Sequence, residues 1–215
     1  MIRVICIVIG YIFGLFQTAY IYGRMKGIDI RQHGSGNAGT TNSLRVLGKK
    51  AGAIVFICDI LKCGLAMTAV RILFGESHGD MIYLLALYAA AGAILGHNFP
   101  FYLGFKGGKG IACTAGLVIF FHPILIPLEA LTFFGIFFTT HYVSLGSLLV
   151  YIVLIIQMVA FGQTGWFDMS QPYLNELYIL VVLLAALAFW GHRANIDRLI
   201  HKNERKTYLT KKSEQ

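Results

Sequence analysis

Apolar residues run through this chain in blocks longer than a half-buried strand or a surface helix requires. Residues 2–22, 51–74, 81–99, 111–140, 143–162 and 177–190 are nearly unbroken apolar stretches. A helix of about 20 such residues spans the roughly 30 Å hydrocarbon core of a bilayer. The pattern predicts an all-α membrane helix bundle, a single domain over residues 1–215 with little chain left for a soluble part. The first run carries only Arg3 at its start and no small-x-small cleavage pattern, so it is read as a span rather than a leader.

The polar positions between the runs orient the bundle. Residues 23–50 carry Arg24, Lys26, Arg31, Arg45, Lys49 and Lys50; residues 104–110 carry Lys106 and Lys109; the tail after Trp190 is also basic. Cations mark cytoplasmic connections. Residues 75–80 and 163–176 hold no Lys or Arg, and the second segment has Trp166 and Tyr173 of interfacial character, so both are expected outside. An even number of crossings must then separate Lys109 from His192, yet hydropathy offers three runs. The 111–140 run, interrupted by His122, Pro123 and Pro127, is expected to be two short helices, because proline breaks the helical ladder. The result is about seven transmembrane helices, with the N-terminus outside and the C-terminus cytoplasmic.

Composition agrees: 57% hydrophobic and 13% charged, against about 45–50% and about 25% in soluble domains. The net charge of +8 collects beside the spans, which points to topology and anionic lipid and not to nucleic acid. Cys6, Cys58, Cys63 and Cys113 are scattered through apolar sequence and suggest packing instead of disulfides or zinc. His33, His78, His122, His141 and His201 show no ligand spacing, so neither a metal nor a cofactor is expected.

Unusual polar sequence gathers in three segments. The first, HGSGNAGTTN at residues 33–42, spells G-x-G-x-x-G at Gly34, Gly36 and Gly39. A dinucleotide site would need a strand before it and an acid about 20 residues on within a βαβ unit. A membrane helix precedes it here, and the next acid, Asp59, lies inside a span. What survives is the glycine physics: positive φ and bare backbone can form an anion nest. Ser35, Thr40, Thr41 and Asn42 add neutral donors, and Arg45 adds a planar fork suited to phosphate.

The second segment, GHNFPFYLGFKGGKG at residues 96–110, is not a P-loop, because Leu103 stands where the first glycine belongs and Gly110 where Ser or Thr belongs. Lys106 and Lys109 among glycines at a helix start still make an anion site. The third, HRANIDRLIHKNE at residues 192–204, spaces Arg193, Ile196, Leu199 and Ile200 as an amphipathic helix, with His192 and Asn195 on one side. Asp59 and Lys62, three apart in the second run, are expected to form an internal ion pair that orients that helix.

In order and spacing, GSGNAGTTNSLRVLGKKAG (34–52), DILKCG (59–64), GHNFPFYLGFKGGKGIACTAG (96–116) and HRANIDRLIHKNE (192–204) resemble the bacterial PlsY-type family, the acyl-phosphate:glycerol-3-phosphate acyltransferases. The resemblance implies an inner-membrane enzyme with a cytoplasm-facing site, working on acyl phosphate and glycerol-3-phosphate without a cofactor, and expected as a monomer. It implies catalytic roles for Ser35, His192 and Asn195. It places an essential polar role on Arg45 and acyl-phosphate binding on Gly104, Gly107, Gly108 and Gly110 with Lys106; beside these, Gly34, Gly36, Asn37, Thr41, Asn42, His97, Lys109 and Arg193 are expected from their own chemistry to bind substrate. Asp59, Lys62 and Glu204 are expected to be structural. Cys113 stands where the family usually has Thr, Ala194 where Glu is common, and Lys202 where Gly is common.

An acyl phosphate is a mixed anhydride with a good leaving group, so catalysis needs mainly positioning and charge stabilisation. Direct transfer is therefore preferred over an acylated Ser35 with His192 as base. The rival class is a transporter of a phosphorylated anion. It would place polar groups near the midplane in repeated halves, whereas here they lie on one side.

Overall fold

The computed structural model describes residues 1–208 and is all-helical over them; the basic tail beyond Tyr208 lies outside the described residues. The chain forms two compact units, Met1–Phe121 and His122–Gln215. Among the described residues six helices are long and apolar enough to cross a membrane, and Ile111–Phe121 is a shorter apolar helix.

The first unit is built on a close crossing of α1 (Ile2–Gly14) and α5 (Ile82–Asn98). Lipid tails are as apolar as the helix surfaces, so membrane helices associate where small residues let backbones approach. Gly10 and Gly14 face Ala89 and Ala93, while Gly92 and Gly96 face the carbonyls of Ile7 and Tyr11; a Cβ at Gly96 would stand 2.4 Å from Tyr11 O. The chain bends after α1 and resumes as α2 (Thr18–Met25). At the bend the buried Gln17 amide faces the carbonyls of Gly14, Gly96 and His97 at 3.0–3.2 Å, which a helix end otherwise leaves unpaired.

A short helix, α3 (Thr40–Leu47), turns through Gly48 into the long α4 (Lys49–Phe74). Gly48 has φ +89° and ends α3 without a Cβ clash. Helix α6 (Ile111–Phe121) packs on α4, where Gly116 meets Ile60 O and Gly64 meets the Phe120 ring.

The break expected in the 111–140 run is present. Helix α6 stops at Phe121, the His122 ring accepts from Ile124 N at 3.3 Å in a 3-10 turn over Pro123–Leu125, and α7 (Ile126–Thr140) starts with a proline in its first turn. The eleven residues of α6 reach only about 16 Å at roughly 1.5 Å per residue, about half of the hydrocarbon core.

In the second unit α7 turns at His141, in the left-handed region, into α8 (Val143–Gln163). Helix α9 covers Gln171–Gly191. It starts well before the apolar run at 177, because Ser170 in extended geometry and Pro172 in the first turn open a helix irrespective of hydropathy. The polar segment expected outside therefore shrinks to residues 164–170, where Phe167 is buried and His122 stands edge-on to Trp166 and Phe167. Helix α10 (Arg193–Ile200) is the predicted amphipathic element.

Candidate active site

The first polar segment folds around its own side chains. Asp29 accepts from Arg31 N at 3.0 Å and pairs with the Arg31 guanidinium at 2.7 Å. The Arg31 hydrogen bond, against slight burial, holds the Asp29 carboxyl down to about 2. Asn42 is buried, its Oδ1 accepting from Ser35 N at 2.9 Å and its Nδ2 donating to the carbonyls of His33 and Ile30 at 3.0 and 3.2 Å. Gly36 N donates to His33 O. Gly34 and Gly36 do have positive φ, +61° and +73°.

The expected anion nest is thus corrected in part. The N–H groups of Ser35 and Gly36 point at the protein's own acceptors, and Asn42 organises the loop from inside. A Cβ on Gly34 would collide with Asn42 Oδ1, so that glycine makes room for the organiser. The Ser35 side chain stays exposed, while Asn37, Thr41 and Arg45 are half-buried; Thr41 and Arg45, four apart on α3, share one face.

The second segment also folds on the protein's own backbone. Gly107 N donates to Asn98 O at 3.1 Å and Gly108 N to His97 O at 3.0 Å, so the loop folds back on the last carbonyls of α5. A Cβ at Gly107 would lie 2.0 Å from His97 O, and one at Gly108 2.0 Å from His97 Nε2. The pressure of α5 by itself requires glycine at both positions. Gly104 and Gly110 have φ +65° and +78° and shape the turn. Lys106 is exposed and Lys109 half-buried. His97, expected to bind substrate, is buried behind the loop.

The two segments meet within the first unit. Arg31 Nη1 donates to Leu103 O at 3.0 Å, and a Cβ on Gly108 would lie 2.9 Å from Ala38 O. Helix α3 starts two residues after Ala38 and α6 three residues after Gly108. Two helix N-termini, with their unpaired first-turn N–H groups and positive dipole ends, thus begin beside one junction. Thr40 Oγ1 at the start of α3 and Asn98 Oδ1 beside Gly110 are buried with no hydrogen-bond partner among the described residues.

The third segment lies in the second unit. His192 is buried, and its Nδ1 pairs with Ala188 O at 2.8 Å. A carbonyl only accepts, so the ring proton sits on Nδ1 and the lone pair on Nε2. Asn195 Nδ2 and Ser144 Oγ both donate to Glu204 Oε1, at 2.6 and 2.9 Å, and Arg198 Nε donates to Oε2 at 2.6 Å. Burial pushes the Glu204 carboxyl up, but these three donors outweigh it and hold it below its ordinary value. Ser144 and Arg198 were not singled out in the sequence, since their partner is identified only by the fold-back of the tail. Lys202 has φ +57°, a conformation that favours glycine. Arg193 donates to Trp190 O at 3.0 Å and stacks over the Trp190 ring at 4.5 Å.

Asp59 and Lys62 form the expected ion pair at 2.7 Å, both buried. The ligand atoms of Asp59, His97 and Cys113 lie within 4.8 Å of one another, close enough for a metal. Lys62 Nζ sits among them, 2.7 Å from Asp59 Oδ1 and 2.8 Å from His97 Nδ1. This ammonium already carries the positive charge that a metal would bring, so the donor set does not suit one.

Comparison with known proteins places the chain in a family. A family model described as glycerol-3-phosphate acyltransferase matches residues 4–202. A glycerol-3-phosphate acyltransferase of Bacillus cytotoxicus is 39% identical over 213 residues, covering 98% of both chains, and one from Halalkalibacterium halodurans is 40% identical over 202 residues, covering 93% of both. Crystal structures of PlsY (YgiH), an integral membrane glycerol 3-phosphate acyltransferase, match at TM-scores of 0.82 for the glycerol 3-phosphate form and 0.77 for the lysophosphatidic acid form. They are 30% and 29% identical and cover 96% of both chains. With its motifs in order and a family match over nearly its whole length, the chain belongs to the glycerol-3-phosphate acyltransferase family.

Proposed function

We propose that this membrane protein transfers an acyl group from an acyl phosphate to the 1-hydroxyl of glycerol-3-phosphate, giving lysophosphatidic acid and inorganic phosphate. The relatives' names and the two ligand forms of the solved structures support acyl transfer to glycerol-3-phosphate over transport. The observation that carries the site is the approach of Gly108 to Ala38 O, with α3 starting two residues after Ala38 and α6 three residues after Gly108.

In this reading Lys106, Arg45 and the first-turn N–H groups of α3 and α6 hold phosphate oxygens. They also stabilise the negative charge that grows on the carbonyl oxygen and the leaving phosphate. The glycerol hydroxyl oxygen attacks the acyl carbon, the carbon–oxygen bond to phosphate breaks, and the electron pair leaves with the phosphate. The hydroxyl proton passes to a phosphate oxygen. The family resemblance assigns the orienting of the glycerol hydroxyl to His192 and Asn195. Direct transfer is preferred over an acylated Ser35, because the donor is already activated.

The distribution of cations supports a multi-pass inner-membrane protein of about seven crossings, N-terminus outside, with these motifs on the cytoplasmic side. The decisive assay gives purified protein in detergent acyl phosphate and glycerol-3-phosphate. Release of inorganic phosphate with formation of lysophosphatidic acid supports the reading. No turnover, with uptake of glycerol-3-phosphate into sealed vesicles, would favour a transporter. Mass-spectrometric detection of a stable acyl group on Ser35 with donor alone would replace direct transfer by a covalent route.

A further inference from the structure

The buried cluster behind the second loop is more elaborate than a helix-orienting ion pair needs to be. Lys62 Nζ pairs with Asp59 Oδ1 at 2.7 Å on its own helix, donates to Phe16 O at 2.9 Å in the bend after α1, and donates to His97 Nδ1 at 2.8 Å on α5. An ammonium has three donors and no acceptor. Nδ1 of His97 is therefore the acceptor, and the imidazole proton resides on Nε2. That opposite edge of the ring presses on Gly108, and the carbonyl of the same residue receives Gly108 N. His97 thus grips one loop residue by ring and backbone together, and Lys62 sets the angle of the ring.

Stability alone does not call for this charge. Replacing a buried ion pair by apolar groups of similar volume is often neutral or stabilising, and a methionine would fill much of the volume of Lys62. What an apolar residue cannot do is donate to Nδ1 and so fix both the tautomer and the orientation of the ring. The loop held in this way carries Lys106 two residues before Gly108 and the start of α6 three residues after it.

We propose that Lys62 and His97 are positioning residues for the donor: the Lys62 ammonium locks His97, and His97 holds Gly107–Gly108 so that Lys106 and the first turn of α6 are placed to receive the phosphate group of the acyl phosphate. This rests on the reading of residues 104–110 as the phosphate site of the acyl phosphate. The glycerol-3-phosphate side of the reaction is not touched by this device.

The test is steady-state kinetics on purified, detergent-solubilised protein, with acyl phosphate and glycerol-3-phosphate varied separately, for Lys62→Met, His97→Asn and Lys106→Ala. His97→Asn keeps an acceptor for Lys62 but withdraws the ring from Gly108, so it decides the matter if Lys62→Met does not fold. In folded variants of Lys62 and His97 the KM for acyl phosphate should rise about tenfold or more, as expected for displacement of a positioned group, with kcat and the KM for glycerol-3-phosphate nearly unchanged. An unchanged donor KM, or equal losses in kcat and both KM values, would overturn the inference. Lys106→Ala separates the two ideas: if it leaves the donor KM unchanged, the loop reading fails and this inference with it; if it alone raises the donor KM, only the positioning role fails.

Discussion

The side-chain amide of Asn195 donates to Glu204 Oε1 at 2.6 Å, and this bond defines how the C-terminal segment is held. Ser144 at the start of α8 and Arg198 on α10 donate to the same carboxylate. Thr207 N reaches His141 O at 2.9 Å, and Tyr208 packs on the His141 ring. Glu204 is thus the point at which α10, the tail and the α7–α8 turn are tied. It also fixes which way the Asn195 amide faces, with its oxygen turned away from the carboxylate.

Glu204 makes the clamp sensitive to acid. Its folded pKa lies below the ordinary value, with burial opposing and the Asn195, Arg198 and Ser144 donors prevailing. A carboxylate held low contributes stability above its unfolded pKa of about 4.3 and loses it as pH falls through the lower folded value. Thermal unfolding in detergent should therefore show a falling Tm below about pH 4. Glu204→Gln should lower Tm at pH 7 by the equivalent of about 2 kcal/mol and flatten part of the acid dependence. A pH profile identical to that of the parent would show that the carboxylate is not titrating in this role.

Two glycines in one loop should respond oppositely to substitution. Gly108→Ala puts a methyl group 2.0 Å from His97 Nε2 and 2.9 Å from Ala38 O, overpacking that costs about 1–3 kcal/mol and moves the loop. Gly104 has φ +65° and ψ 34°, with open space around its missing Cβ. Gly104→Asn, which adopts this region at little cost, should keep most of the activity. Equal kinetics for the two variants would contradict the account of why these positions are glycine.

Arg45 tests the first loop. Arg45→Ala should raise the KM for glycerol-3-phosphate by at least about tenfold, the equivalent of a lost charge-assisted hydrogen bond, while circular dichroism stays helical. Arg45→Lys should restore little of it, because a point charge does not reproduce the planar fork. Unchanged kinetics in both variants would remove Arg45 from the site.

Lys202 offers a gain. It occupies the left-handed region at φ +57°, which costs a non-glycine residue about 1–2 kcal/mol. Lys202→Gly should raise stability by about 0.5–1 kcal/mol after the extra unfolded-state freedom of glycine is counted, read as a small rise in Tm. A fall would mean that the Lys202 side chain makes a compensating contact.

Membrane class, the helical architecture, the break near His122 and the amphipathic α10 were legible from the sequence. They follow from local rules: runs of apolar residues must bury their backbone in helices, proline interrupts them, and cations avoid crossing the bilayer. The start of α9 was misjudged by hydropathy alone, because Ser170 and Pro172 open the helix through backbone geometry, not apolarity.

What the residues do in the site was less legible, because a polar side chain's role depends on partners distant in the chain. The sequence by itself determined that glycines, lysines and an arginine cluster in the connections, and which family their order belongs to. Only the tertiary structure decided that Asn42 faces inward to Ser35 N, that Gly107 and Gly108 are pressed by α5, and that Lys62 reaches across to Phe16 and His97. The physical reason is that glycine in a motif signals only that a Cβ is forbidden. Whether the forbidding neighbour is a ligand or the protein's own backbone is settled by the packing of helices far apart in sequence.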